Sequence, residues 1–246
     1  MSQPQLALGE LDALFLDAGN TIVCWDHGFV SECAAALGIP LDRERLARVE
    51  AAARPLLDRI LARGRSTEAP DTIAAYLSCI LEAGLSGDLE PAARAAFVPE
   101  LGAALRAAGA SDRLWSRVPA GLVETLGSLR GAGLQLVVVS NSDGSIERKL
   151  REAGVAHLFD AIVDSAVVGA EKPDPAIFRF ALARAGSLPE RTLHVGDLHA
   201  IDVVGARRAG LHAALVDPHG DWEHADCQRW PDVPALARDI LAARSV

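Results

Sequence analysis

Short apolar runs that stop at a polar residue recur along this chain. Uninterrupted runs of this length, bounded by turn residues, are typical of strands buried in a parallel sheet. Three of them end at side chains with useful chemistry: Leu11–Leu16 before Asp17, Leu134–Val139 before Ser140, and Leu193–Gly196 before Asp197. Because parallel strands open at the same edge of a sheet, where doubly wound folds bind ligands, we expect these polar residues to meet.

Residues 24–116 follow a different pattern, in which apolar side chains recur at helical spacing without a convincing strand. The predicted helices are Phe29–Leu37, Leu41–Leu61, Thr72–Leu81 and Pro91–Leu105, with glycines that would end helices at Gly38, Gly64, Gly84 and Gly109. From Val118 onward predicted helices and strands alternate. We therefore expect an α/β fold: a doubly wound, Rossmann-like parallel-sheet core of residues 1–23 and 117–246, with an all-helical domain inserted over residues 24–116.

Local signals predict further elements of the core. A proline opens two of the helices, and Ser142 or Asp143 is expected to cap another. The elements are a helix over Pro119–Arg130, a helix that ends at Glu152, a strand over Ala161–Asp164, a helix from Pro175, a helix over Ala200–Ala209 and a strand over His212–Val216.

Composition narrows the class of protein. The net charge of −9 argues against nonspecific binding to nucleic acid. No apolar run approaches the roughly 20 residues of a membrane span, and the amino terminus lacks the basic region of a secretory signal. The four cysteines have neither zinc-site spacing nor the density of a disulfide framework. We expect a cytoplasmic protein without a nucleic-acid or membrane partner, and the sequence does not indicate its oligomeric state.

Four short motifs carry a family resemblance. Asp17-x-x-x-Thr21, Ser140-Asn141, Lys172-Pro173 and Gly196-Asp197-x-x-x-x-Asp202 occur in this order. Together they resemble the motifs of the haloacid dehalogenase-like hydrolases, over roughly residues 11–23 and 117–216. Each motif alone is unspecific, whereas the ordered set is specific. The resemblance implies that the inserted helices form a cap domain and that the chain hydrolyses small phosphorylated metabolites.

The resemblance also implies a nucleophile and a metal. Asp17 would attack a phosphoryl group and form an aspartyl-phosphate that water then hydrolyses. Asp17, the backbone carbonyl of Gly19 and Asp197 would hold Mg2+, which prefers hard oxygen ligands and keeps several waters. Thr21 and Asp202 would support this set from outside, with Asp202 steadying either the water shell of the metal or Lys172.

Ser140, Asn141 and Lys172 are implied to bind the phosphoryl oxygens, with Lys172 as the catalytic cation. The composition agrees, because Lys149 and Lys172 are the only lysines and all other Lys or Arg positions are Arg. A compact ammonium at Lys172 suits a site that needs a point charge and not a planar fork. Lys149 lies in a polar helical stretch, and we expect it at the surface.

One position departs from the family pattern. Phosphatases of the family generally carry a second Asp, the general acid and base, two residues after the nucleophile, where this chain has Gly19. Loss of a positioned general acid typically costs about 100- to 10,000-fold in rate. A 2-haloacid dehalogenase, whose halide needs no proton, and a catalytically weak phosphoester-binding module therefore stay open as alternatives. The intact Asp197 and Asp202 favour the Mg2+-dependent phosphatase.

Three other polar residues are interpreted as structural. His194 lies within a predicted strand, where we expect a packed and hydrogen-bonded side chain. Asp26 and His27 follow the Asp17 loop closely and could approach a leaving group. The favoured interpretation is that a helix begins here and that Asp26 caps it.

Overall fold

A sheet of six parallel strands organises the computed structural model. The strands are β1 (Ala13–Leu16), β2 (Gln135–Ser140), β3 (Ala161–Asp164), β4 (Thr192–Gly196), β5 (His212–Val216) and β6 (Gln228–Trp230). Their order in the sheet is β3-β2-β1-β4-β5-β6. The chain fills one side of β1 before it crosses to the other, so the strand order reverses between β1 and β4. In doubly wound sheets this reversal is where a ligand crevice opens.

The structure describes residues 6–81, 83, 90–107 and 109–245, which fall into two units. The core unit contains the described residues up to Val23 and from Val118 onward, and the helical unit is Cys24–Arg117. Arg117 lies in the helical unit, one residue beyond the expected boundary, because its backbone pairs with that of Cys24. The predicted helix stop at Gly84 lies outside the described residues.

The helical unit contains five α-helices within the described residues. They are α1 (His27–Ala36), α2 (Arg43–Leu61), α3 (Thr72–Ile80), α4 (Pro91–Leu105) and α5 (Ala110–Leu114). Asp26 accepts from the backbone N–H of Gly28 and Phe29, so it caps α1 as expected. Trp25 is fully buried and meets the rings of Tyr76 and Trp115 edge-on, at centroid distances of 5.0 and 6.0 Å.

Helices cover both faces of the sheet in the core unit. They are α6 (Leu122–Gly131), α7 (Ile146–Glu152), α8 (Ser165–Val168), α9 (Pro175–Ala185), α10 (Val204–Arg208) and α11 (Val233–Arg244). Leu14, Leu136 and Val195 pack with side chains of α6, α7 and α11 on one face. On the other face His194 meets Phe178 of α9. Burial on both faces explains why the strands are continuous apolar runs.

Several local features differ from the sequence prediction. The strand β6 and the helices α5, α8 and α11 are not among the predicted elements, and the predicted helix over Ala200–Ala209 divides into a π-helical turn, His199–Val203, followed by α10. Neither Ser142 nor Asp143 caps α7. Its first N–H, at Ile146, donates to Asp164 at 3.3 Å instead. This cap comes from the end of β3, so local sequence could not reveal it. Among the described helices none is long and apolar enough to span a membrane.

Two glycine-to-alanine substitutions test the packing of the core unit. A Cβ at Gly205 of α10 would lie 2.8 Å from the Phe178 ring and 2.9 Å from the Pro173 Cα, whereas one at Gly127 of α6 would meet nothing within 4 Å. We expect Gly205→Ala to lower the free energy of unfolding by about 1–3 kcal/mol. Gly127→Ala, the control, should raise it by about 0.5–1 kcal/mol, since alanine is the better helix former. Urea unfolding measures both, and stabilisation by both would contradict the close packing at Gly205.

Candidate active site

The candidate site lies at the carboxyl edge of the sheet, where β1 is flanked by β2 and β4. Parallel pairing places Leu16 beside Val138 and Val195. The Asp17 N–H donates to the Val195 carbonyl at 2.8 Å, so the strand ladder extends to Asp17. The next residues turn sharply, since the N–H groups of residues 22 and 23 both donate to the Ala18 carbonyl at 2.9 Å. Asp17 is thereby held at the point of strand-order reversal.

Lys172 links two carboxylates in this site. Its ammonium donates to Asp17 Oδ1 and, at 2.7 Å, to Asp202 Oδ1. The Lys172 side chain is 2 % exposed, as is that of Asp202. These three residues are far apart in sequence, and the fold gathers them into one buried, charge-assisted network.

The network shifts the pKa values of all three groups. Burial raises the pKa of Asp17, the Lys172 ammonium opposes this rise, and the Asp202 carboxylate adds to it. Burial also acts to raise the pKa of Asp202, but Lys172 and His194 outweigh it and hold this pKa below its usual range. For Lys172, the two carboxylates outweigh the effect of burial and raise the pKa, so the ammonium stays charged. Of the two carboxylates, Asp17 is therefore the one whose negative charge is less compensated.

Ser140 and Asn141 end β2 beside this network, but their side chains have different surroundings. The Ser140 side chain is buried, and its hydroxyl makes a long 3.3 Å contact with the Asn141 carbonyl. Asn141 pairs with the backbone of Lys172: its Nδ2 donates to the Lys172 carbonyl at 2.9 Å, and its Oδ1 accepts from the Lys172 N–H at 2.7 Å. Both ends of the Asn141 amide thus hold the segment that carries the ammonium.

Asp197 follows β4 and faces the Asp17 loop. Its carboxylate is buried and accepts from Asn20 Nδ2 at 3.1 Å. Asn20 has a left-handed backbone, with φ of 53°, which is uncommon outside glycine. The four motifs do not include Asn20, although an Asn in a tight loop between two motif residues is a usable signal.

The donor set fits a divalent cation that keeps most of its waters. Within the described residues no three acidic, His or Cys side chains form a ready ligand cage. Lys172, His194 and the Leu198 N–H occupy the carboxylate of Asp202, so the carboxylates of Asp17 and Asp197, which follow the adjacent strands β1 and β4, are the hard oxygen donors to consider. The linked carboxylates Asp17 and Asp202 outnumber the Lys172 ammonium by one charge. A bound divalent cation would neutralise that excess.

Gly196 makes this geometry possible. A Cβ there would lie 2.1 Å from Asp202 Cγ, a distance that no side chain can tolerate. Asp202 folds back against the Gly196 backbone, and its Oδ2 accepts from the Leu198 N–H at 3.0 Å. The glycine before Asp197 is therefore required by the close approach of a carboxylate.

His194 is the packed and hydrogen-bonded strand residue that the sequence predicts, and its hydrogen-bond partner places it beside the site. It is fully buried, and its Nε2 lies 3.0 Å from Asp202 Oδ1. Eight residues separate the pair, and their contact requires the turn after β4, so sequence spacing alone carried no clear signal for it.

Comparison with known proteins agrees with the motif order. The family model for haloacid dehalogenase-like hydrolases matches residues 11–210. A mouse protein, haloacid dehalogenase-like hydrolase domain-containing protein 3, is 45% identical over 92 residues. A phosphoserine phosphatase of Thermus thermophilus is 44% identical over 93 residues. Each alignment spans only 37% of this chain and 37% of the relative.

Solved structures share the fold over nearly the whole chain. The putative HAD-hydrolase YfnB of Bacillus subtilis, determined bound to magnesium, superposes with a TM-score of 0.62 at 20% identity. The superposition covers 94% of this chain and 98% of that protein. At this level of identity the likeness concerns the fold.

The excess of buried negative charge predicts a stabilising substitution. Asp17→Asn should raise the stability of the metal-free protein at pH 7 by about 1 kcal/mol or more, because each unit of raised pKa corresponds to 1.36 kcal/mol. Because the pKa of Asp17 is raised on folding, the wild type loses stability as pH rises. The advantage of the variant should therefore vanish below the ordinary value of 3.8.

Asp164→Asn is the matched control for this prediction. Asp164 is also buried at a strand end, but its carboxylate accepts backbone N–H groups from Gly144, Ile146 and Ala166. Its replacement should lower stability by about 1 kcal/mol, the usual cost of a lost cap. Thermal unfolding in a chelating buffer measures both variants, and equal destabilisation by the two would contradict the charge excess at Asp17.

Proposed function

The chain belongs to the haloacid dehalogenase-like hydrolase family, and on this premise we propose that it hydrolyses small phosphorylated metabolites through a phosphorylated Asp17. The observation that carries the proposal is the Lys172 ammonium held between Asp17 and Asp202 at the carboxyl edge of the sheet. A carboxylate that attacks a phosphoryl group needs a neighbouring cation, because the negatively charged phosphoryl oxygens would otherwise repel it. The Lys172 ammonium, which contacts Asp17, is placed to stabilise those oxygens.

The proposed reaction has two displacements at phosphorus. An Asp17 carboxylate oxygen bonds to phosphorus while the bond to the leaving oxygen breaks, and that oxygen takes a proton from water. Water then attacks the phosphorus of the aspartyl-phosphate, which releases phosphate and restores the carboxylate. Lys172 and the Ser140 hydroxyl stabilise the negative charge on the phosphoryl oxygens in both steps.

Asn141 receives a different role from the one expected from sequence. Because its amide is paired with the Lys172 backbone, we assign it to holding Lys172 in place. The phosphoryl-binding side chains in this proposal are therefore Ser140 and Lys172.

Mg2+ is the cofactor that the donor set supports. Asp17, Asp197 and the Gly19 carbonyl would hold it, and a bound Mg2+ supplies positive charge beside the transferring phosphoryl group. Asn20 orients Asp197 for this purpose, while the buried Thr21 and Asp202 support the set from outside.

Gly19 limits the range of substrates. Without a carboxylate at this position, departure of a basic alkoxide lacks a positioned proton donor. We propose that substrates with stable leaving groups, such as acyl and aryl phosphates, react fastest. The absence of this carboxylate also favours a second candidate, a 2-haloacid dehalogenase, because a departing halide needs no proton. Displacement of a halide would, however, need no metal-binding carboxylate at Asp197.

The reaction class is tested by chelation together with Asp17→Asn. We expect an aryl phosphate to be hydrolysed with Mg2+, activity to be lost with a chelator, and Asp17→Asn to reduce kcat by about 1,000-fold or more because the nucleophile is removed. Asp12→Asn, at the amino end of the same strand, is the control and should keep wild-type activity.

Other results of this experiment would select the alternatives. Halide release from a 2-haloacid that is insensitive to chelation would identify a dehalogenase. Phosphate binding without turnover would identify a binding module. Wild-type hydrolysis by Asp17→Asn would exclude the covalent mechanism.

The role of Gly19 is tested by the dependence of rate on leaving-group pKa. The wild-type rate should fall steeply as the leaving group becomes more basic. Gly19→Asp should raise kcat for alkyl phosphates relative to aryl phosphates by at least about 10-fold, because it restores an acid.

Gly19→Asn is the matched control, since it adds a side chain of the same size without an acid. Another group would have to supply the proton if two results were found together. The wild-type rate would not depend on leaving-group pKa although the chemical step is rate-limiting, and Gly19→Asp would lose activity.

A further inference from the structure

His194 is a buried polar residue that the proposed reaction does not use. It lies in the middle of β4, where the neighbouring positions Leu193 and Val195 are apolar, and it is itself 0 % exposed. Its Nε2 lies 3.0 Å from Asp202 Oδ1, the same oxygen that accepts from the Lys172 ammonium at 2.7 Å. One carboxylate oxygen is thus shared by an imidazole and an ammonium.

The donor and acceptor roles in this contact follow from chemistry. The ionised Asp202 carboxylate only accepts hydrogen bonds, so Nε2 of His194 carries the proton. His194 Nδ1 is buried without a hydrogen-bond partner in the described part of the chain, and the ring edge meets Phe178 at a centroid distance of 4.9 Å. Burial lowers the pKa of His194, which agrees with a neutral imidazole.

Stability alone does not explain a histidine at this position. A buried ring nitrogen without a partner costs free energy that an apolar strand residue would avoid. What the imidazole adds is a third donor to Asp202, beside the Leu198 N–H on Oδ2 and Lys172 on Oδ1. With two donors on Oδ1 and one on Oδ2, both oxygens of the carboxylate are restrained.

We infer that His194 is a positioning residue, which orients Asp202 and through it keeps the Lys172 ammonium against Asp17. Because His194 shares Oδ1 with Lys172, Asp202 cannot turn that oxygen fully toward the ammonium and draw it away from Asp17. Among the described residues His194 hydrogen-bonds to Asp202, and not to Asp17 or Lys172. The inference rests on the proposed function only where its test uses kinetics.

Three variants separate positioning from packing. His194→Leu removes the donor, and His194→Gln keeps an amide N–H that can reach Asp202. The matched control is His212→Leu, since His212 is also buried, lies on the neighbouring β5, and bonds through Nε2 to the Glu190 carbonyl at 3.0 Å, outside the site. If His194→Leu does not fold, His194→Met supplies a flexible apolar replacement without a donor.

The first readout does not depend on activity. Because Lys149 and Lys172 are the only lysines, lysine labelled with 13C and 15N gives two ammonium signals. Lys149 lies on α7, outside the network, and serves as the internal reference. We expect the Lys172 ammonium signal to shift and its hydrogen exchange to quicken in His194→Leu, to stay near wild type in His194→Gln, and to be unchanged in His212→Leu.

The second readout is the split between kcat and KM for an aryl phosphate with Mg2+. We expect His194→Leu to reduce kcat by about 10-fold or more with little change in KM, and His194→Gln to recover most of it. An unchanged Lys172 signal in His194→Leu would overturn the inference, as would equal kinetic losses in His194→Leu and His212→Leu. If His194→Leu shifts the Lys172 signal but the wild-type protein hydrolyses no phosphoester, the positioning role is upheld and the proposed function is rejected.

Discussion

The ion-pair chain from Asp17 through Lys172 to Asp202 is the interaction on which the core site depends. Asp17 follows β1, Lys172 comes after β3 and Asp202 comes after β4. These ion pairs therefore join elements on both sides of the strand-order reversal. Neighbouring contacts serve this chain. Asn141 holds the Lys172 backbone, His194 and the Leu198 N–H hold Asp202, and Gly196 leaves the space that Asp202 occupies.

The imbalance of charge distinguishes this network from an ordinary buried ion pair. In the helical unit, Glu50 is equally buried and accepts two bonds from Arg54, at 3.0 and 2.9 Å, and one from the Tyr76 hydroxyl. Burial acts to raise the pKa of Glu50, but Arg54 and the hydrogen bonds outweigh it and hold the pKa well below its usual range. That acid is compensated within the fold.

In the core site Asp17 and Asp202 share one ammonium, and burial leaves the pKa of Asp17 raised. Uncompensated charge of this kind costs stability, and it persists where a ligand supplies the missing charge. On the proposed mechanism the same excess links stability to chemistry, since removal of the Asp17 charge should stabilise the fold and also remove the proposed nucleophile.

The sequence by itself determined five of the six strands, the order of the four motifs and the helical insertion, because continuous apolar runs, helical spacing and glycine positions are local properties. It placed Asp17, Ser140, Lys172, Asp197 and Asp202 at the ends or flanks of predicted elements. The tertiary structure alone decided which of these side chains meet and what each one bonds. Asn141 is adjacent to Ser140 in sequence yet pairs with Lys172, His194 is hidden in an apolar run yet reaches Asp202, and Asp164 caps a helix on another segment. These contacts join residues from 8 to 31 positions apart, so they exist only once the sheet has formed and its strand ends share one edge.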